Sequence, residues 1–162
     1  MCTMTNPMWP HYRRAWWCRF LERRGRLFAT SLPVARWPAG VQLGEIGECY
    51  RNALLLSQRF PQRFLYCEGL AERVSTNYVF EHGWIYDTDT GEVIDSTWGD
   101  DGRDYAGVGF ESDFIRRRIS RSARTPVLLL DTSAADTEVR AGIVELTGGV
   151  PVRFPALPHS PA

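Results

Sequence analysis

A chain of 162 residues has the length of one domain and is long enough to bury a core. Its 44% hydrophobic and 23% charged residues are ordinary for a globular protein, and a formal net charge of zero excludes a global field that draws nucleic acid or an anionic membrane. No run approaches the roughly 18 apolar residues of a membrane span, and "MCTMTNPMWPHYRRAWW" lacks the apolar stretch of a secretory signal. Cys2, Cys18, Cys49 and Cys67 have no metal-type spacing. Free thiols in a reducing cytoplasm are therefore expected, with no metal and no cofactor. All 19 basic side chains are arginine. A coding bias gives that pattern, and so does an enzyme that avoids acylating its own amines.

In chain order, "HYRRAWWCRFLERRGRLF" predicts an amphipathic helix with Trp17, Phe20, Leu21, Leu27 and Phe28 on one stripe. A Pro/Gly-marked connection, "SLPVARWPAGVQLGEIGE", leads to Cys49, and "CYRNALLLSQRF" predicts a second helix that Pro61 stops. Strands are expected in "RFLYCEGLAERV", "NYVFEHGWIYD" and "GEVIDSTW". "ESDFIRRRISRSA" reads as a short helix with Ser112 as N-cap, and "TPVLLLD" as a buried strand. "SAADTEVRAGIVEL" looks helical, with Ser133 and Asp136 as a capping box and Val139, Ile143 and Leu146 on one face. The proline-rich "GGVPVRFPALPHSPA" is expected to be flexible or draped on the surface. The division is an N-terminal helical segment (1–38), a core with C-terminal helices (39–148) and a tail (149–162), in one domain.

The stretch "EHGWIYDTDTGEVIDSTW" holds one of only three histidines. If Tyr86 pairs with Gly91 across a four-residue hairpin loop, paired numbers sum to 177 and His82 lies directly opposite Asp95. Their Cβ atoms are then about 5 Å apart on one face, within hydrogen-bonding reach of each other. The carboxylate would fix one ring nitrogen and leave the other as a base. A structural His–Asp pair is the alternative.

A partner for that base lies upstream. Cys49 stands where a glycine-punctuated loop enters a helix, and Ala53 and Leu56 follow on its face. The first turn of a helix offers unpaired N–H groups and the positive end of the dipole; both favour thiolate and can hold an oxyanion. A lone cysteine is otherwise a small buried hydrophobe. Cysteine at a helix start, followed by strands carrying histidine and aspartate, has the order of nucleophile, base and orienting group in acyl transfer.

Those residues carry a family likeness. From Gly44 to Phe110, "GECYRNALLL", "RFLYCEGLAER" and "FEHGWIYDTDTGEVIDST" resemble the core of the transglutaminase-like superfamily, relatives of the papain-like cysteine peptidases. The resemblance implies an α+β, papain-like core in which a nucleophile-bearing helix packs on an antiparallel sheet. It implies Cys49 as nucleophile, His82 with Trp84 as the His-x-Trp strand, Asp95 with Thr97 as the Asp-x-Thr strand, and Glu68-Gly69 in the strand between. Gly83 stands where the family often has alanine, and Ser96 where proline is frequent. By analogy Gln42 is the candidate oxyanion donor, while Glu68, Trp84 and Trp98 are candidates for the walls of the substrate cleft; for the two tryptophans core packing is the first expectation.

The expected function is a thiol-dependent acyl-transfer enzyme acting on a peptide, protein or other amide. With water as acceptor it is a peptidase, amidase or deamidase; with an amine it is a transglutaminase or acyltransferase. The competing expectation is a non-catalytic binding module that uses the arginines at 116, 117, 118, 121 and 124 on an anionic partner, against which stands their reading as a solvated face. Neither a specificity pocket nor an oligomeric state is legible.

Overall fold

The computed structural model describes residues 16–120 and 137–155, together with Met4, Asn6, Met8 and Trp9. Among the described residues seven strands form one antiparallel sheet. They are β1 (Arg26–Thr30), β2 (Phe64–Arg73), β3 (Tyr78–Asp87), β4 (Glu92–Ile94), β5 (Gly102–Phe110), β6 (Ile143–Val144) and β7 (Val150–Pro151). Their order is β4-β3-β2-β5-β1-β7, with β6 paired to β5. The helices are α1 (Trp16–Arg24), α2 (Cys49–Arg59), α3 (Ser112–Ser120) and the short α4 (Thr137–Ala141). The chain is thus α+β around an antiparallel sheet. Among the described residues no helix is long and apolar enough to cross a membrane.

Alternation along the strands sorts side chains into two clusters. Tyr66, Leu70, Ile85, Ala106 and Val108 pack with Trp17, Leu21, Ala53, Leu54 and Ile115 of the helices. Cys67, Trp84, Tyr86, Tyr105 and Phe28 form a smaller, aromatic cluster with Leu146. Residues of one strand divide between the clusters with the period of two that a pleated sheet imposes.

Several expectations need correction. The first helix ends at Arg24, and Leu27 and Phe28 belong to β1, where they enter different clusters. A Leu21 carbonyl bound to Gly25 N–H at 2.7 Å closes the helix. The helix expected over "SAADTEVRAGIVEL" is only five residues long within the described part. Ile143 is already in a strand, and Val139 and Leu146 lie in different clusters. Ser112 is the first residue of α3 rather than its cap, and its hydroxyl donates to Pro61 at 3.1 Å. The "TPVLLLD" strand and the capping box at Ser133 and Asp136 lie outside the described residues. The tail expected to be flexible joins the sheet at its start: Val150–Pro151 pairs with β1, and Val152 and Phe154 are buried.

Strand β5 went unread because Gly102, Gly107, Gly109 and Asp104 lower strand propensity. Packing explains one of those glycines. A Cβ at Gly107 would lie 2.4 Å from the Glu68 carbonyl and 2.4 Å from the Trp84 ring, so the indole covers bare backbone there. We expect Gly107→Ala to lower unfolding stability by about 1–3 kcal/mol, the usual cost of overpacking. Urea denaturation measures it, and an unchanged midpoint would contradict this packing.

Candidate active site

Asp95 is brought to His82 by a different register from the one expected. Observed pairs are Ile85↔Ile94, Tyr86↔Val93 and Asp87↔Glu92, which sum to 179 rather than 177. The reason is Asp87. Its buried carboxylate takes two hydrogen bonds from Arg63 (2.9 and 2.7 Å), and its carbonyl accepts from Gly91 N–H at 2.8 Å. This holds Asp87 in the strand and moves Gly91, at φ +75°, into the loop. A shift of two keeps every side chain on its face. His82 and Asp95 therefore remain neighbours, as a diagonal rather than a directly opposed pair.

Strand β4 stops at Ile94, and Asp95 opens a turn. Its Oδ1 accepts from the Thr97 and Trp98 N–H groups at 3.0 and 3.1 Å, the local bonding that makes aspartate a turn former. Its Oδ2 bonds His82 Nε2 at 2.9 Å and accepts from the Tyr105 hydroxyl at 2.8 Å. Four partners fill the acceptor capacity of a carboxylate that is 0% exposed. Gly102 makes the Tyr105 bond possible, since a Cβ there would lie 1.7 Å from the tyrosine oxygen. Tyr105 itself was not anticipated, because its strand was not.

His82 is fully buried and fixed on both its bonded nitrogen and its face. The Trp98 indole stacks on it with centroids 3.7 Å apart and planes at 12°, a contact that also favours the charged ring. Burial pushes the His82 pKa down, but the charge and hydrogen bond of Asp95, and after them Cys49, outweigh it and raise it to about 9. Burial likewise pushes Asp95 up, but His82 and the two turn N–H groups hold it below the usual carboxylate range. Imidazolium and carboxylate are thus the neutral-pH pair. Cys49 adds to the raised pKa of the ring through hydrogen bonding and charge, more weakly than Asp95, although among the described residues Nδ1 has no partner in well-aligned hydrogen-bond geometry.

Cys49 reaches this place through Gly83. A Cβ at Gly83 would lie 2.9 Å from the Tyr50 ring and 3.1 Å from Tyr50 Cα, so the start of α2 rests on bare backbone next to His82. An alanine there would force the helix end away. Helix α2 is reached through Gly47, at φ +90°, and its first helical bond runs from Asn52 N–H to Glu48 at 2.8 Å. The Cys49 N–H precedes that ladder, at the positive end of the helix. Cys49 is half-buried, whereas Cys18 and Cys67 are buried completely. Burial lifts the Cys18 thiol to about 12 and raises Cys67 as well, which leaves both inert.

Asn52, one turn after Cys49, is a second residue the sequence reading missed. Its amide donates to Glu45 O at 2.8 Å and to Thr97 Oγ1 at 2.9 Å, and its oxygen accepts from Glu45 N–H at 3.3 Å. Gly44 N–H bonds Ser96 O at 2.7 Å. Together they clamp the loop before Cys49 to the turn after Asp95. A buried amide among alanine and leucines was the signal available in the sequence.

The remaining candidates divide. Trp98 is half-buried over His82, as a wall of a site requires. Trp84 is 0% exposed within the aromatic cluster, so it packs the core and lines no cleft. Glu68 is also fully buried; it accepts from the Tyr66 hydroxyl at 2.7 Å and faces no open cleft. Gln42 is exposed on the loop before Cys49, and no described hydrogen bond ties it to the triad. Compared with family models, with curated proteins and with solved structures, the chain matches none.

A raised His82 pKa has a definite sign in stability. The folded state holds the proton more tightly than the unfolded one, so its contribution is complete below about pH 6.5 and is lost as pH rises through about 9. We expect the unfolding free energy from urea denaturation to fall across that window by an amount on the order of 3 kcal/mol, and His82→Asn to flatten the fall. A His82 ring resonance titrating at or below pH 6.5 in NMR would contradict the assignment.

Proposed function

We propose that the protein is a thiol-dependent acyl-transfer enzyme that hydrolyses an amide or peptide bond, with a transglutaminase-like, papain-like catalytic core. The observation that carries this reading is one imidazole fixed at Nε2 by Asp95 (2.9 Å) and acted on by Cys49 at the start of a helix, with Nδ1 unbonded among the described residues. An arrangement built only for stability has no need of an unbonded ring nitrogen beside a half-exposed thiol.

The Cys49 sulfur, its proton already held on the His82 imidazolium in the resting site, attacks the carbonyl carbon, and the new C–S bond places the carbonyl electron pair on oxygen. The N–H of Cys49 lies at the helix end where that charge develops. Collapse breaks the C–N bond, His82 protonates the departing amine, and a thioester remains on Cys49. Water then attacks the thioester, giving its proton to His82, and the C–S bond breaks to release the acid. Asp95 stabilises the imidazolium in both steps, and Tyr105 and the turn N–H groups keep it in place. Trp98 covers one ring face and keeps water from it. Water as acceptor is favoured because it is always present, while an amine acceptor needs a site of its own. The free thiols suit a reducing compartment such as the cytoplasm.

Alkylation by iodoacetamide at pH 6 tests the reading. Cys49 should react at least tenfold faster than Cys18 or Cys67, and His82→Asn should slow it about 100-fold, the low end of a general acid–base contribution. Cys49→Ala should keep the wild-type melting temperature, because the thiol is half-exposed. Equal, slow labelling of all three cysteines would rule out an activated thiol.

A further inference from the structure

Residues 78, 80 and 82 share one face of β3, two positions apart. Two of them are aromatic and exposed: Tyr78 is 55% and Phe80 40% accessible. Their rings meet edge to face at 6.4 Å, and Phe80 meets Trp98 edge to face at 5.8 Å. Trp98 in turn lies flat on His82. A continuous strip of rings therefore runs from open solvent to the base of the site. Arg73, whose guanidinium lies 6.0 Å from the Trp98 ring centre, is neutralised by Asp101 at 2.9 Å. The rings of the strip are uncharged, and the guanidinium beside them is paired. On the nucleophile's side, the loop before Cys49 exposes Leu43 and Ile46, and Leu43 lies against Gly99, next to Trp98.

Exposed aromatic rings in sequence are a cost to a protein unless something covers them. Here the position of the strip says what covers it. It ends at His82, which on the reading above protonates the leaving group, so a substrate segment lying along the strip would sit beside the attacked bond.

We propose that this strip selects the substrate: an uncharged segment with an aromatic or large aliphatic side chain within one residue of the attacked bond. The proposal rests on the thiol-enzyme reading above. Tyr78 and Phe80 act as specificity residues, and an edge-to-face ring partner of the substrate adds about tenfold in rate at limiting concentration.

Two alkylating probes test it, iodoacetamide and N-(2-phenylethyl)iodoacetamide, each rate at Cys49 divided by that probe's rate with glutathione. In the wild type the phenylethyl probe should be favoured about tenfold, and Tyr78→Ser with Phe80→Ser should bring the ratio near one. Val150→Ser, an exposed apolar position on the far strand of the sheet, should leave the ratio as in the wild type. A wild-type ratio near one, or a preference that survives the double variant, overturns the role of the strip while fast iodoacetamide labelling upholds the thiol chemistry. Slow iodoacetamide labelling of Cys49 overturns both.

Discussion

The structure turns on a buried ion pair. His82 and Asp95 are both 0% exposed, and taking two charges out of water is repaid only when every remaining bond is made. Asp95 meets that condition with its four partners, and His82 meets it with one bond and a stacked indole. Among the described residues the exception is Nδ1. Breaking a pair of this kind by removing one partner costs roughly 3–5 kcal/mol, so it ties the turn after β4 to β5 at Tyr105. The imidazole is held on one nitrogen and one face, which fixes its orientation.

Bringing a sulfur to that ring is a problem of backbone approach rather than side-chain choice. The start of α2 touches β3 where β3 has no side chain, at Gly83. The opposite end of the arrangement, the loop before Cys49, is tied through Asn52 to Thr97, two residues beyond Asp95. Cys49, His82 and Asp95 come from distant parts of the chain, yet two direct contacts set their spacing. Helix, strand and turn move together or not at all.

Legibility in the sequence followed how local the signal was. Helix α2, strands β2 and β3 and the shared face of His82 and Asp95 come from periodicity and a turn, all within about 50 residues, and all were readable. The hairpin register was misread because a tertiary ion pair, Arg63 with Asp87, extends β3 by one residue beyond the loop chemistry. Two side chains that support the site were invisible for a related reason. Tyr105 lies on a strand whose glycines serve close packing and so hide its strand character, and Asn52 acts through a contact 45 residues away. The tail from Val150 to Phe154 looked flexible by its prolines, but β1 needed a neighbour and took it.

The central claim is that Cys49 carries an acyl group in turn with His82. Rapid-quench mass spectrometry with p-nitrophenyl acetate measures this directly. The account predicts a burst of nitrophenol matched by one acetyl group on Cys49, with neither in His82→Asn. Acetylation of the wild type no faster than that of Cys49→Ala, or found elsewhere on the chain, would contradict it.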